Sequence, residues 1–352
     1  MWEVQQDYTV GLDAAFFKNK LSLTVERYVR NPNNLMLPVN VDYVLGYPQG
    51  YLPVQYTNIG KLTTKGWDVN IGYKDAISKK LRYNVTLTVS QFITMVNDLS
   101  TADPIIGQEN NDGITTGRSR ITVGHQPGVW WGYIVDGVFQ SDEEAASYTN
   151  KDGNRLQPKA TAGDLKYRDV NNDGQITIGD LTDLGSPYPK FTTGLNITLS
   201  YSNFDFRSDF YGAFGQKIFN NYRRNMLPTG HYNFLAGFAD QFWHGEGTSN
   251  SFPILREQDL NNNFNNMSTF FLEKGDFVKC NLMQLGYTFS PKQLKGITRL
   301  RLYVSAQNLF TISSYSGINP DVPWYNSTGY NGVDNYQMIN PRTYLVGINL
   351  TL

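Results

Sequence analysis

The sequence predicts an all-β, antiparallel fold, and three observations carry that prediction. Apolar and polar residues alternate in one segment after another, no stretch holds a helical period for long, and tight turns tend to alternate with long polar connections. The 352 residues suffice for one large domain or two ordinary ones. Charged residues make up 17% of the chain, against roughly 25% in an average soluble domain. Aromatics reach 14%, led by 23 Tyr and 20 Phe, a bias that suits sheets with one apolar face.

In "LRYNVTLTVS" the residues Leu81, Tyr83, Val85, Leu87 and Val89 fall on one face, opposite Arg82, Asn84, Thr86, Thr88 and Ser90. The same alternation runs through "GWDVNIGYK", "FTTGLNITLSY" and the closing "TYLVGINLTL". Further strands are expected near 5–16, 19–30, 129–139, 203–215, 267–275, 277–289 and 297–309, giving about eleven in all. Tight turns fall at 16–21, 74–81 and 200–206, and long polar connections at 31–53, 96–128, 141–187, 216–266 and 311–340. Connections of that length are where function is expected.

Two solutions accommodate so many alternating strands. In a soluble sandwich or barrel the apolar face is the core; in a transmembrane β-barrel it meets lipid. Strands of about ten residues match a tilted membrane span, and Trp67, Tyr73, Phe191, Tyr201 and Tyr344 near strand ends resemble interfacial girdles. These features favour the membrane barrel. No run of 18 apolar residues supports a helical span, and "MWEVQQDYTV" does not read as a secretion signal.

One stretch reads as a ligand set. "DVNNDGQITIGD" places side-chain oxygens at Asp169, Asn171, Asp173 and Asp180, a turn glycine at Gly174 and the Gln175 carbonyl at position seven, the spacing of an EF-hand calcium loop. A strand follows it in place of a paired helix, so a structural calcium staple is expected rather than a sensor, with an Asx-rich turn without metal as the alternative. Among loop aromatics, Trp130, Trp131, Trp243, Trp324 and Tyr325 are candidates to stack on substrate rings, with interfacial anchoring or packing against a partner as the alternatives.

Other chemistries find little support. A net charge of -1 with scattered Lys and Arg argues against a nucleic-acid partner. The single Cys280 excludes an internal disulfide framework and is expected to pack as a small apolar residue. His125, His231 and His244 lack HExxH spacing and no GxSxG occurs, so no enzymatic site is expected; "DEE" at 142–144 reads as a solvated loop face.

Four ordered stretches resemble the C-terminal part of SusC/RagA-type TonB-linked outer-membrane transporters. They are "VGLDAAFFKNKLSLTVERYVRNPNNLML", "TNIGKLTTKGWDVNIGYK", the run from "VGHQPGVWWGYIVDGVFQSDEE" into "LTDLGSPYPKFTTGLNITLSY", and "SAQNLFTISSYSGINPDV" with the closing "PRTYLVGINLTL". The resemblance implies the C-terminal half of a barrel of about 22 strands with long extracellular loops. It also implies a cell outer membrane location, import of oligosaccharides or peptides, and a SusD-like surface lipoprotein partner. TonB would act through an N-terminal region. Because no plug domain or first barrel half is recognised in residues 1–352, the chain is expected to be a fragment that does not transport alone. A secreted, calcium-stapled carbohydrate-binding β-protein is the alternative.

Overall fold

The computed structural model describes residues 2–40, 54–99, 105–106, 119–221, 237, 239–289, 297–322, 331–335 and 338–351. Nine long strands form one sheet: β1 (Val4–Phe16), β2 (Leu21–Asn40), β3 (Val54–Ala76), β4 (Leu81–Asp98), β5 (Phe191–Tyr201), β6 (Phe204–Phe214), β7 (Phe277–Phe289), β8 (Arg299–Ser313) and β9 (Thr343–Thr351). They lie side by side in chain order, each antiparallel to the next. The sheet is all-β and antiparallel as expected, and it is open, with β1 and β9 at its edges.

Register turns the alternation into two continuous faces. One cross-strand row runs from Ala14 through Leu23, Ile71, Leu87, Leu195, Phe210 and Cys280 to Phe310. A neighbouring row, on the opposite face, holds Ser22, Gly72, Thr86, Asn196 and Asp209. A one-residue slip in any strand would exchange these faces, so the pattern fixes the register. The apolar face is open over much of its area: Val10 is 78% exposed and Val346 82%. Among the described residues no second sheet covers it. An uncovered face of this size does not persist in water, and lipid is the solvent it fits.

Two of the eleven expected strands are not part of this sheet. The segment 129–139 splits into Val129–Gly132 and Val135–Val138, and of 267–275 only Leu272–Lys274 is strand; each pairs in a small separate sheet. Val129 and Trp130 are adjacent in sequence yet both 2% exposed, and Phe270 and Phe271 are buried side by side. Burial on both faces suits a packed core, not a strand wet on one side. Connection lengths agree. With nine strands, the connections 17–20, 77–80, 202–203 and 290–298 share one end of the sheet, and 41–53, 99–190, 215–276 and 314–342 share the other. A tenth strand at 129–139 would send one long connection to the short-turn end. The expected loop at 31–53 is also shorter, because β2 and β3 remain paired out to Asn40 and Val54.

The clustered hydrophobic core lies in the connections, and the sheet adds buried hydrophobic residues only toward its long-loop end, at Val96, Ala213, Phe277 and Cys280. The largest cluster gathers Trp130, Tyr133, Leu165, Tyr167, Phe219, Phe242, Phe264, Met267, Phe271 and Val333 from three of the four long connections. A second cluster packs Phe139, Ala145 and Ala160. The connections therefore form one folded body at a single end of the sheet. Gly132 permits a close backbone approach within it: a Cβ there would stand 2.5 Å from the Met267 carbonyl oxygen. The neighbouring Tyr133 N–H donates to that same oxygen at 2.9 Å.

Candidate functional site

The loop body holds every described candidate residue. Asp169–Asp180 forms a compact turn closed by a short 3-10 helix, Ile178–Asp180, that begins with a capping box. Thr177 Oγ1 accepts from the Gly179 N–H, and Asp180 reaches back to the Thr177 N–H at 2.7 Å. Asp180 is fully buried, and its other oxygen accepts from the Val170 N–H at 2.8 Å. Asn171 accepts from the Asp173 N–H and Asp173 from the Gln175 N–H, both at 2.9 Å, two successive Asx turns. Gly174 takes φ +82°, the left-handed position that the sharp bend requires.

As a cation site the loop has an incomplete donor arrangement. Among the described residues no three His, Cys, Asp or Glu side chains converge as a metal cluster. Asp180 is committed to backbone amides, and Asp169 Oδ2 accepts from the Gly174 N–H at 2.9 Å. Asp169 Oδ1, however, is buried with no hydrogen-bond partner. A buried carboxylate oxygen left bare is costly, and a hard cation is a partner that suits it.

The aromatics divide by location. Trp130 is 2% exposed, lies tilted against the Phe219 ring at 5.9 Å and donates its indole N–H to the Lys217 carbonyl at 3.0 Å. It is a core residue, with no face left for a sugar. Trp131 is half-buried, with the Arg120 guanidinium 5.1 Å from its ring centre and the His125 ring edge-on at 5.4 Å. His125 Nδ1 lies 2.9 Å from Asp183 Oδ2, tying the turn after β4 to the strand Thr182–Gly185. Burial holds the Arg120 guanidinium below its ordinary pKa. Trp243 donates to Gln140 Oε1 at 3.2 Å and packs beside Gly163. Trp324 and Tyr325 lie outside the described residues.

A polar network that the sequence reading did not single out holds the body together. Asp164, 2% exposed, accepts from the Asn263 amide at 2.8 Å and from Thr161, and pairs with Arg256 at 3.4 Å. Asn263 Oδ1 accepts from the Leu165 N–H at 2.9 Å. Gln157 spans the short strand Leu165–Tyr167, donating to the Leu165 carbonyl and accepting from the Tyr167 N–H. Asp259 accepts from the Asn263 and Phe264 amides, while burial pushes its carboxyl above the ordinary range. Burial also pushes the Tyr167 phenol well up. The one available signal was the Asn-rich run "DLNNNFNN", whose composition suits side-chain caps of turns. Residues 142–144, read as a solvated face, open a six-residue helix capped by Ser141, and Glu144 accepts from the Gln140 N–H. Cys280 is fully buried, as expected.

No protein-family model matches the chain. Among curated proteins it is similar to TonB-dependent receptor P26 of Formosa agariphila, at 26% identity over 360 residues, covering 99% of this chain and 34% of that receptor. TonB-dependent receptor SusC of Bacteroides thetaiotaomicron matches at 24% identity, covering 99% of this chain and 32% of SusC. Among solved structures, that of the RagAB peptide transporter superposes with a TM-score of 0.75 at 20% identity, covering 99% of this chain and 35% of that one. The chain spans about a third of the length of the curated relatives it matches.

Proposed function

From the resemblance to SusC/RagA-type TonB-dependent receptors that runs along the whole chain, we propose that it is part of an outer-membrane transporter importing oligosaccharides or peptides. The apolar rows face lipid, the polar rows line a lumen, and the loop body forms the wall of an outside vestibule. A SusD-like lipoprotein would close that vestibule from above. TonB would act through an N-terminal region of the whole transporter. The role is transport, not catalysis, and the chain would need the remaining strands of its barrel, since open sheet edges in hydrocarbon leave backbone groups unpaired.

The observation that carries this reading is the apolar face of the sheet, on which Val10, Leu12, Ile71, Leu87, Leu199, Leu285, Val304 and Val346 stay exposed while the largest packed cluster sits in the loops. Calcium belongs to the same proposal, held by Asp169, Asn171, Asp173, the Gln175 carbonyl and Asp180. It would neutralise three carboxylates and fix the turn. Of the candidate aromatics, Trp131 and Trp243 are only partly buried and would keep ring surface for a substrate.

Fractionation and uptake test the proposal. The protein should stay with outer membranes until detergent is added, a surface lipoprotein should co-purify with it, and deleting its gene should abolish uptake of one oligosaccharide or peptide class. Recovery in the soluble fraction without detergent, with uptake intact in the deletion strain, would overturn it.

A further inference from the structure

The apolar face carries a cationic groove at its loop-side border. Arg27 stands across from Trp67, and Trp67 across from Gln91, in one cross-strand row; Lys65 stands across from Ile93 in the next. Together with Thr63 and Asn97 these side chains line a groove of about 520 Å³, and among the described residues none that line it is acidic. Arg27 and Lys65 are exposed, and neither makes an ion pair among the described residues. Unpaired cations on the face that otherwise presents Leu23, Val25, Ile71, Val69, Leu87 and Val89 call for an explanation.

Their height supplies one. From Leu81 to Gln91, β4 advances ten residues, about 33 Å along the strand at ~3.3 Å per residue. Tilted by about 40°, that is roughly 25 Å along the membrane normal, the height of an outer-membrane apolar band. Gln91 therefore sits at the interface on the long-loop side; Trp67 and Arg27 follow it in one cross-strand row, and Lys65 lies one row beyond, toward the lipid headgroups.

We infer that this groove binds the phosphate of a lipid headgroup in the leaflet on the long-loop side. Arg27 and Lys65 supply charge-assisted donors, Gln91 and Asn97 add amide donors, and Trp67 packs at headgroup depth. A lipid suits the groove better than a free phosphate because its floor is continuous with Val25, Val69 and Val89, against which acyl chains can lie. The inference rests on the membrane reading above.

The test uses the protein as its cell makes it, placed in phosphatidylcholine nanodiscs with a minor fraction of diphosphoryl lipid A, the bound lipid being counted by native mass spectrometry. Failure to enter nanodiscs at all would sink the membrane reading before any lipid is counted. Given entry, the double variant Arg27→Gln/Lys65→Gln should retain diphosphoryl lipid A about thirty-fold less, from the loss of two surface cations. A double variant at the short turns, Lys18→Gln/Lys79→Gln, should retain it unchanged. Equal far-UV circular dichroism checks that both fold. Equal retention by the wild type and the groove variant, or displacement of the lipid by an equal concentration of inorganic phosphate, would overturn the inference.

Discussion

The Trp130 indole N–H donates to the Lys217 carbonyl at 3.0 Å, joining the connection between β4 and β5 to that between β6 and β7. This bond ties two insertions, 87 residues apart in sequence, into one body. Trp130→Phe keeps most of the apolar contact but leaves the Lys217 carbonyl unpaired, a cost of about 1–3 kcal/mol. Trp130→Ala also opens a cavity, at about 3–5 kcal/mol. Hydrogen exchange should show faster exchange across 129–138 and 217–220 in both variants, with β4 and β5 unchanged.

Asp169 Oδ1 is the buried oxygen that a cation would satisfy. Chelation of calcium should therefore increase proteolytic cleavage within 169–180, and added calcium should reverse it. Asp169→Asn should abolish the calcium response while leaving strand content intact. Identical cleavage with and without calcium would favour the Asx-turn alternative.

Asp259 gives the loop body a pH dependence. Burial raises its carboxyl above the ordinary value of 3.8, aided by Asp164 and opposed by Arg256 and by the Asn263 and Phe264 amides. Between 3.8 and the raised value the folded state holds more protons than the unfolded one, so stability falls as pH rises through that window. Acidification from neutral should stabilise the wild type relative to Asp259→Asn until both are past the window. Melting curves of the two proteins across that range check the sign.

The sheet was legible because its register depends on a period of two: Leu81 to Val89 announces an exposed apolar face without knowledge of what lies beside it. The loop body was not. The segment 129–139 reads as one of the strands because its apolar residues are dense, and only the double burial of Val129 and Trp130 reveals a core segment. The roles of Asp164, Asn263 and Arg256 depend on contacts across more than ninety residues, which no local spacing encodes. Trp130 and Trp131 are neighbours with opposite fates, one inside the core and one between Arg120 and His125. Composition alone offered both as stacking surfaces.

In the proposed membrane setting, alternate side chains of the long strands face lipid. In a Cys280→Ala background, single nitroxide labels at Leu87 and at Thr88, neighbours on β4, test it within one strand. In bilayers the label at Leu87 should be relaxed by oxygen and shielded from a water-soluble nickel chelate, and the label at Thr88 should show the reverse. Equal shielding of Leu87 from both reagents, as in a protein interior, would contradict it.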